Sequence, residues 1–181
     1  PMEDVTATSV DGLELKGRYY KCQNPKRIII CCHGWRSSAV VDFGLAMDFL
    51  HDIGCDVLYI NQRAQNGSSG DHMGFGAMER YDCQTWVNWV NDNTENLPIY
   101  LYGVSMGSAS VMMSAGLPMP KRLHGIIADC GFTSVDDICT HVGRNNLHMP
   151  FKLTRVMGGF LFDKKVGQGS YKASTFDALS H

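Results

Sequence analysis

Residues 103–107 read Gly-Val-Ser-Met-Gly, between the apolar run Ile99–Val104 and the small-residue stretch Ser108–Ala115. This G-x-S-x-G spacing constrains the chain more than any other segment, because it requires a strand to turn sharply into a helix. Such a turn forces its middle residue into strained backbone geometry. A glycine two positions to either side lets the neighbouring backbone approach closely. Ser105 is thereby expected at the carboxyl end of a sheet, its hydroxyl projecting and a helix N-terminus behind it favouring developing negative charge. The opposing interpretation is a glycine-rich turn with an inert serine.

The rest of the chain supplies a sheet for that turn. Val5–Val10 and Leu13–Tyr20 flank Asp11-Gly12, a two-residue turn suited to a hairpin. Arg27–Cys32, Cys55–Ile60, Ile99–Val104 and Gly125–Cys130 are short apolar runs, the signature of parallel strands covered on both faces. Between them the spacing predicts helices over Val41–Ile53 (with Leu45, Phe49 and Ile53 four apart), Ala77–Val90, Ser108–Ala115 and Val135–Leu147, the last capped by Thr133 or Ser134. A hairpin followed by strand–helix units predicts an α/β fold with a mostly parallel sheet. The 181 residues, 44% of them apolar, suffice for one domain. The segment 148–170 breaks the pattern. It mixes Met149, Phe151, Met157, Phe160 and Phe162 with glycines, and within 135–175 it predicts a cap or lid excursion whose apolar side chains form either an acyl pocket or the cap's own core.

A serine at such a turn suits acyl transfer, which needs two backbone N–H donors at the developing oxyanion. The N–H of Met106, directly after Ser105, is one candidate. His33-Gly34-Trp35 ends an earlier strand, and the N–H of Trp35 is the other. His33 itself precedes Ser105, whereas in this arrangement the base follows the nucleophile in sequence, so His33 is expected to be structural.

With these segments in view, the chain resembles an α/β-hydrolase, and is most similar to bacterial hydrolases of the serine aminopeptidase-like and acyl-peptidase-like branch. The matching segments are Asp11–Gly17, His33–Trp35, Asn61–Gly70, Gly103–Gly107 and Ala128–Ser134, in the family's order. The resemblance implies an acyl-enzyme on Ser105, formed from an ester, thioester or amide substrate that is a small acyl compound or a peptide. It implies no cofactor. The family's R-G-H-G-x-S loop reads Arg63-Ala64-Gln65-Asn66-Gly67-Ser68 here, a departure that bears on loop packing. Arg63 itself either touches substrate or ties its loop to Glu79 or Asp82.

The resemblance also implies an acid in an H-G-x-x-D segment and a histidine in a G-x-H loop after the cap, and neither occurs before His181. The α/β-hydrolase fold is therefore expected to be truncated before its last strands, by roughly 60 to 80 residues for two further strand–helix units. Within the chain, Asp129 is an alternative acid or holds the turn into Gly131-Phe132-Thr133. His141, His148 and His181 follow Ser105 but lie in no strand-end loop pattern. Without a base a serine is a poor nucleophile, so the rival expectation is a non-catalytic binding protein on the same fold.

Other classes are disfavoured. A net charge of −2 without a Lys/Arg run argues against nucleic acid. No apolar run approaches a membrane span. His141 and His148 lack a carboxylate at zinc-ligand spacing, so no metal is expected. Seven cysteines without a Cys-x-x-Cys read as buried free thiols, which favours a cytoplasmic setting.

Overall fold

Met2–Thr8 (β1) and Glu14–Tyr20 (β2) pair antiparallel in the computed structural model, which describes residues 1–146 and 151–180. Their connection is longer than the predicted two-residue turn, because the register pairs Thr8 with Glu14. Val10 belongs to the turn and is exposed. The Ser9 hydroxyl organises the loop, donating to Asp11 at 2.6 Å and accepting from the Leu13 N–H at 2.8 Å, while Gly12 takes a φ of 84°.

The remaining strands are Arg27–Cys32 (β3), Cys55–Ile60 (β4), Ile99–Val104 (β5) and Leu123–Asp129 (β6). The sheet order is β1-β2-β4-β3-β5-β6, with β4, β3, β5 and β6 mutually parallel and the hairpin antiparallel at one side. This is the mostly parallel α/β sheet that the apolar runs predict. The chain leaves β3 first toward β4 and later returns to β5 on its other side. The carboxyl ends of β3 and β5 therefore border the crevice where α/β sheets open a site.

Alternate residues of β3 and β4 face opposite layers. Ile28, Ile30, Leu58 and Ile60 pack with Trp86, Val87 and Val90. These three lie on Glu79–Asn93, which we number α3 after two short helices, Ala39–Phe43 (α1) and Met47–Asp52 (α2). Ile29, Cys31, Val57 and Tyr59 face Ala39, Phe43 and Leu50 of α1 and α2. The predicted helix over Val41–Ile53 is thus broken by a 3₁₀ turn at Gly44–Ala46, and its face is rotated. Phe43 and Leu50 are buried, whereas Leu45, Phe49 and Ile53, the residues of the four-residue spacing, point outward. The cause is local. The Ser38 cap starts α1 early and Asp42 is turned back to the loop before it, which commits Phe43 to the sheet.

Met106–Ser114 (α4) follows β5 directly. Val135–Asn146 (α5) begins at Ser134, whose hydroxyl accepts from the Asp137 N–H at 3.1 Å and donates to the Asp137 carboxylate at 2.7 Å. This side-chain exchange satisfies one of the helix's free N–H groups. Phe151–Val166 (α6) packs on α5, and Thr175–Leu179 (α7) packs on α4. Among the described residues no helix is long and apolar enough to cross a membrane. All seven cysteines are free; Cys31, Cys32, Cys55 and Cys83 are buried, and Cys130 is exposed.

Candidate active site

Ser105 stands between β5 and α4 with φ 53° and ψ −114°, a region that costs a non-glycine residue on the order of 1–3 kcal/mol. The flanking glycines explain how the turn is built. A Cβ on Gly103 would lie 2.3 Å from the Gly107 carbonyl oxygen, and one on Gly107 would lie 1.9 Å from that of Cys32. Strand β5, helix α4 and the end of β3 therefore meet backbone to backbone. The Ser105 N–H donates to the Asp129 carbonyl at 2.9 Å, which ties the turn to β6. The Ser105 side chain is exposed, and its hydroxyl makes no hydrogen bond to another described residue.

Gly34 closes the other side. Its α-carbon faces Ser105, so that an added Cβ would sit 3.4 Å from Ser105 Cβ. The loop carrying Gly34 and Trp35 is held by four hydrogen bonds from three residues. The Gly34 N–H donates to Asp42 at 2.7 Å, and the Ser37 hydroxyl donates to the same carboxylate at 2.6 Å. The Arg36 N–H donates to Gln65 Oε1 at 2.8 Å, and the Asn66 amide donates to the Ser37 carbonyl at 2.8 Å. Among the described residues neither the Trp35 N–H nor the Met106 N–H has an acceptor. The latter is the first residue of α4, where helix geometry leaves the donor free.

His33 is fully buried beneath this loop. Its Nδ1 lies 2.8 Å from the Gly34 carbonyl and its Nε2 receives the Gln62 N–H at 3.3 Å, which fixes the neutral tautomer with the proton on Nδ1. Gln62 also donates to the His33 carbonyl. Burial lowers the His33 pKa, against the raising influence of the Gly34 carbonyl and Asp42. The ring is a strut, as its position before Ser105 predicts.

Arg63 is buried, with two nitrogens on Asp82 at 2.7 Å each and two on Asp11 at 2.9 and 3.1 Å. It ties its loop to α3 and to the hairpin. Burial pushes the Asp82 carboxyl up, and the guanidinium on both its oxygens opposes this. Glu79, the other predicted partner, instead accepts the Gly74 and Gly76 N–H groups at 2.7 Å each.

A cavity of about 400 Å³ opens onto Ser105, with Trp35, Phe75 and Met106 on its sheet side and α5 and α6 opposite. Of the apolar set predicted for the excursion, Met157 lines this cavity, Phe160 is exposed, and Phe162 packs on Phe75 and Tyr171. Met149 and the side chain of Phe151 lie outside the described residues. The Asp129 carboxylate is exposed at the end of β6 without a hydrogen bond to another described residue. His141 is exposed on α5 beside the Asn145 amide and is not part of the cavity wall. His148 and His181 lie outside the described residues. The sequence offered no signal for Asp42, Ile138 or Val142, whose roles depend on which helix face turns inward.

A family model for the alpha/beta hydrolase fold matches residues 27–174, and the chain belongs to this family. The Bacillus subtilis protein YqkD is 26% identical over 143 residues, which are 78% of this chain and 47% of that protein. The Pyrococcus furiosus esterase Pf2001 superposes with a TM-score of 0.73 at 22% identity, over 98% of this chain and 65% of the esterase. The α/β hydrolase GrgF from Penicillium superposes with a TM-score of 0.65 at 18% identity, over 100% of this chain and 73% of its own. The chain therefore spans about half the length of YqkD and under two thirds of the length of the esterase.

Proposed function

We propose that this chain carries the acyl-transfer centre of a serine hydrolase acting on an ester, thioester or amide. The single observation behind the proposal is an exposed hydroxyl on a strained strand–helix turn, with two acceptor-free backbone donors, Trp35 N–H and Met106 N–H, on the residues beside it. In this reading Ser105 Oγ attacks the carbonyl carbon and its proton passes to a base. The carbonyl oxygen takes the negative charge, held by the two N–H groups. Collapse expels the alcohol, thiol or amine and leaves an acyl-Ser105, which water then hydrolyses. Removing one such donor typically costs ~2.7–4 kcal/mol of barrier lowering. The bacterial aminopeptidase-like branch remains part of this proposal, and α5–α6 is its cap.

The base is the open element. No described histidine hydrogen-bonds the Ser105 hydroxyl, and this observation favours the second reading, a binding protein on the hydrolase fold. Nitrophenyl ester turnover by the protein at its full encoded length separates the two. The hydrolase reading expects turnover that Ser105→Ala abolishes. Turnover that survives Ser105→Ala, or a folded protein with none, favours the second reading.

A further inference from the structure

The described residues that wall the cavity beside Ser105 are almost all apolar. Helix α5 contributes Ile138 and Val142, four residues apart on one face, and α6 contributes Met157 and Leu161 with the same spacing. The two helices pack on each other, and Phe132 lines the same cavity. Among the described residues no charged side chain and no side-chain amide lines the cavity, and the Ser105 hydroxyl and the Cys139 thiol are the only side-chain heteroatom groups there besides the Trp35 indole and the methionine thioethers. Burial pushes the Cys139 thiol up to about 11, so it stays neutral there. A peptide would bring backbone amides into this space and leave them without partners, at a cost of ~1–3 kcal/mol for each. A hydrocarbon chain has no such requirement.

We infer that this cavity holds the straight apolar chain of an ester substrate, of about ten carbons. The inference rests on Ser105 being the acylated residue, since it is the hydroxyl at the cavity mouth that places the ester end. At roughly 30 Å³ per methylene, about a liquid water's share of volume, the cavity of about 400 Å³ has room for a chain of that order plus the ester carbons. The chain belongs to either the acyl or the alcohol side of the ester, and the two sources differ only in which end the carbonyl carbon occupies.

Unreactive amides test this without needing catalysis. N-methyl alkanamides and N-alkyl acetamides of four to sixteen carbons are titrated onto the 181-residue chain by calorimetry, with the fluorescence of Trp35, 44% exposed at the mouth, as a second signal. Affinity is expected to rise about fourfold per methylene in one of the two series and to level off near ten carbons. Growth in the alkanamide series assigns the acyl side, and growth in the acetamide series assigns the alcohol side. Val142→Phe is expected to bring the plateau forward by about two carbons. Should Val142→Phe not fold, Met157→Asp, at a half-exposed position on the cavity wall, is expected to weaken the ten-carbon ligand tenfold or more and the four-carbon ligand little. Flat profiles in both series, or profiles that neither variant moves, overturn the inference. The underlying reading fails separately. If the length profile is present but neither nitrophenyl decanoate nor decyl acetate acylates Ser105 in the protein at its full encoded length, the cavity binds chains and the hydrolase reading is wrong. If Ser105 is acylated equally by acetate and decanoate esters while the amide profiles are flat, the hydrolase reading stands and the chain-binding inference falls.

Discussion

Replacing Gly107 by alanine adds one methyl group at the most crowded point of the candidate site. The added carbon would lie 1.9 Å from the Cys32 carbonyl oxygen and 2.7 Å from that of His33. An unstrained contact is about 3.5 Å, so α4 or the end of β3 must move by more than about 1 Å. Both obstacles are backbone, and neither can rotate away. Overpacking of this kind costs ~1–3 kcal/mol, and a backbone obstacle belongs at the upper end. Alanine recovers up to about 1 kcal/mol of helix propensity within α4. The expected net loss is about 2 kcal/mol, read from urea denaturation followed by tryptophan fluorescence. Gly44→Ala is the control, because Gly44 has helical dihedrals and its nearest obstacle is Val40 Cγ1 at 3.9 Å. There the same substitution should gain up to about 1 kcal/mol. A Gly107→Ala protein as stable as its parent would refute the backbone-to-backbone account of the turn.

The buried ion cluster should be costly to break: Arg63→Met strands Asp82 and is expected to lose ~3–5 kcal/mol in the same denaturation assay. His33, with its pKa below the ordinary 6.5, should make stability pH-dependent. The unfolded ring binds its proton first, so the contribution is full above pH 6.5 and is lost as pH falls below it. Urea midpoints at stepped pH should show this slope in the parent and a shallower one in His33→Gln. The rotated face of α1 and α2 makes a paired expectation: Leu45→Glu should change stability by no more than about 0.5 kcal/mol, while Phe43→Ala should lose ~3–5 kcal/mol.

The middle of the sheet was legible because β3 and β4 are covered on both faces; β6, expected to be covered in the same way, is instead partly open, with Ile127 45% exposed. β3, β4 and β5 coincide with their apolar runs, and β6 extends two residues earlier than its run. The turn at Ser105 was legible because two glycines at fixed offsets have a steric reason that survives without coordinates. What failed was the face of a short helix. Val41, Leu45, Phe49 and Ile53 share an apolar spacing, but a 3₁₀ turn between them and the demands of Asp42 decide which side meets the sheet. Periodicity registers neither. The supports of the loop before α1 were illegible for a related reason. Asp42, Gln62 and Gln65 are ordinary polar residues until the sheet brings His33, Trp35 and Ser105 together. The altered loop Ala64-Gln65-Asn66 was expected to matter for packing, and Gln65 and Asn66 indeed bond to the Arg36 N–H and the Ser37 carbonyl.

The central claim is that Ser105 is the residue that takes the acyl group. Its most direct test is intact-mass and peptide mapping after exposure of the protein at its full encoded length to an alkyl fluorophosphonate. The account expects a single adduct on the full-length protein, mapped to the peptide containing Ser105 and absent in Ser105→Ala. An adduct elsewhere, or a folded full-length protein that stays unmodified, would contradict it.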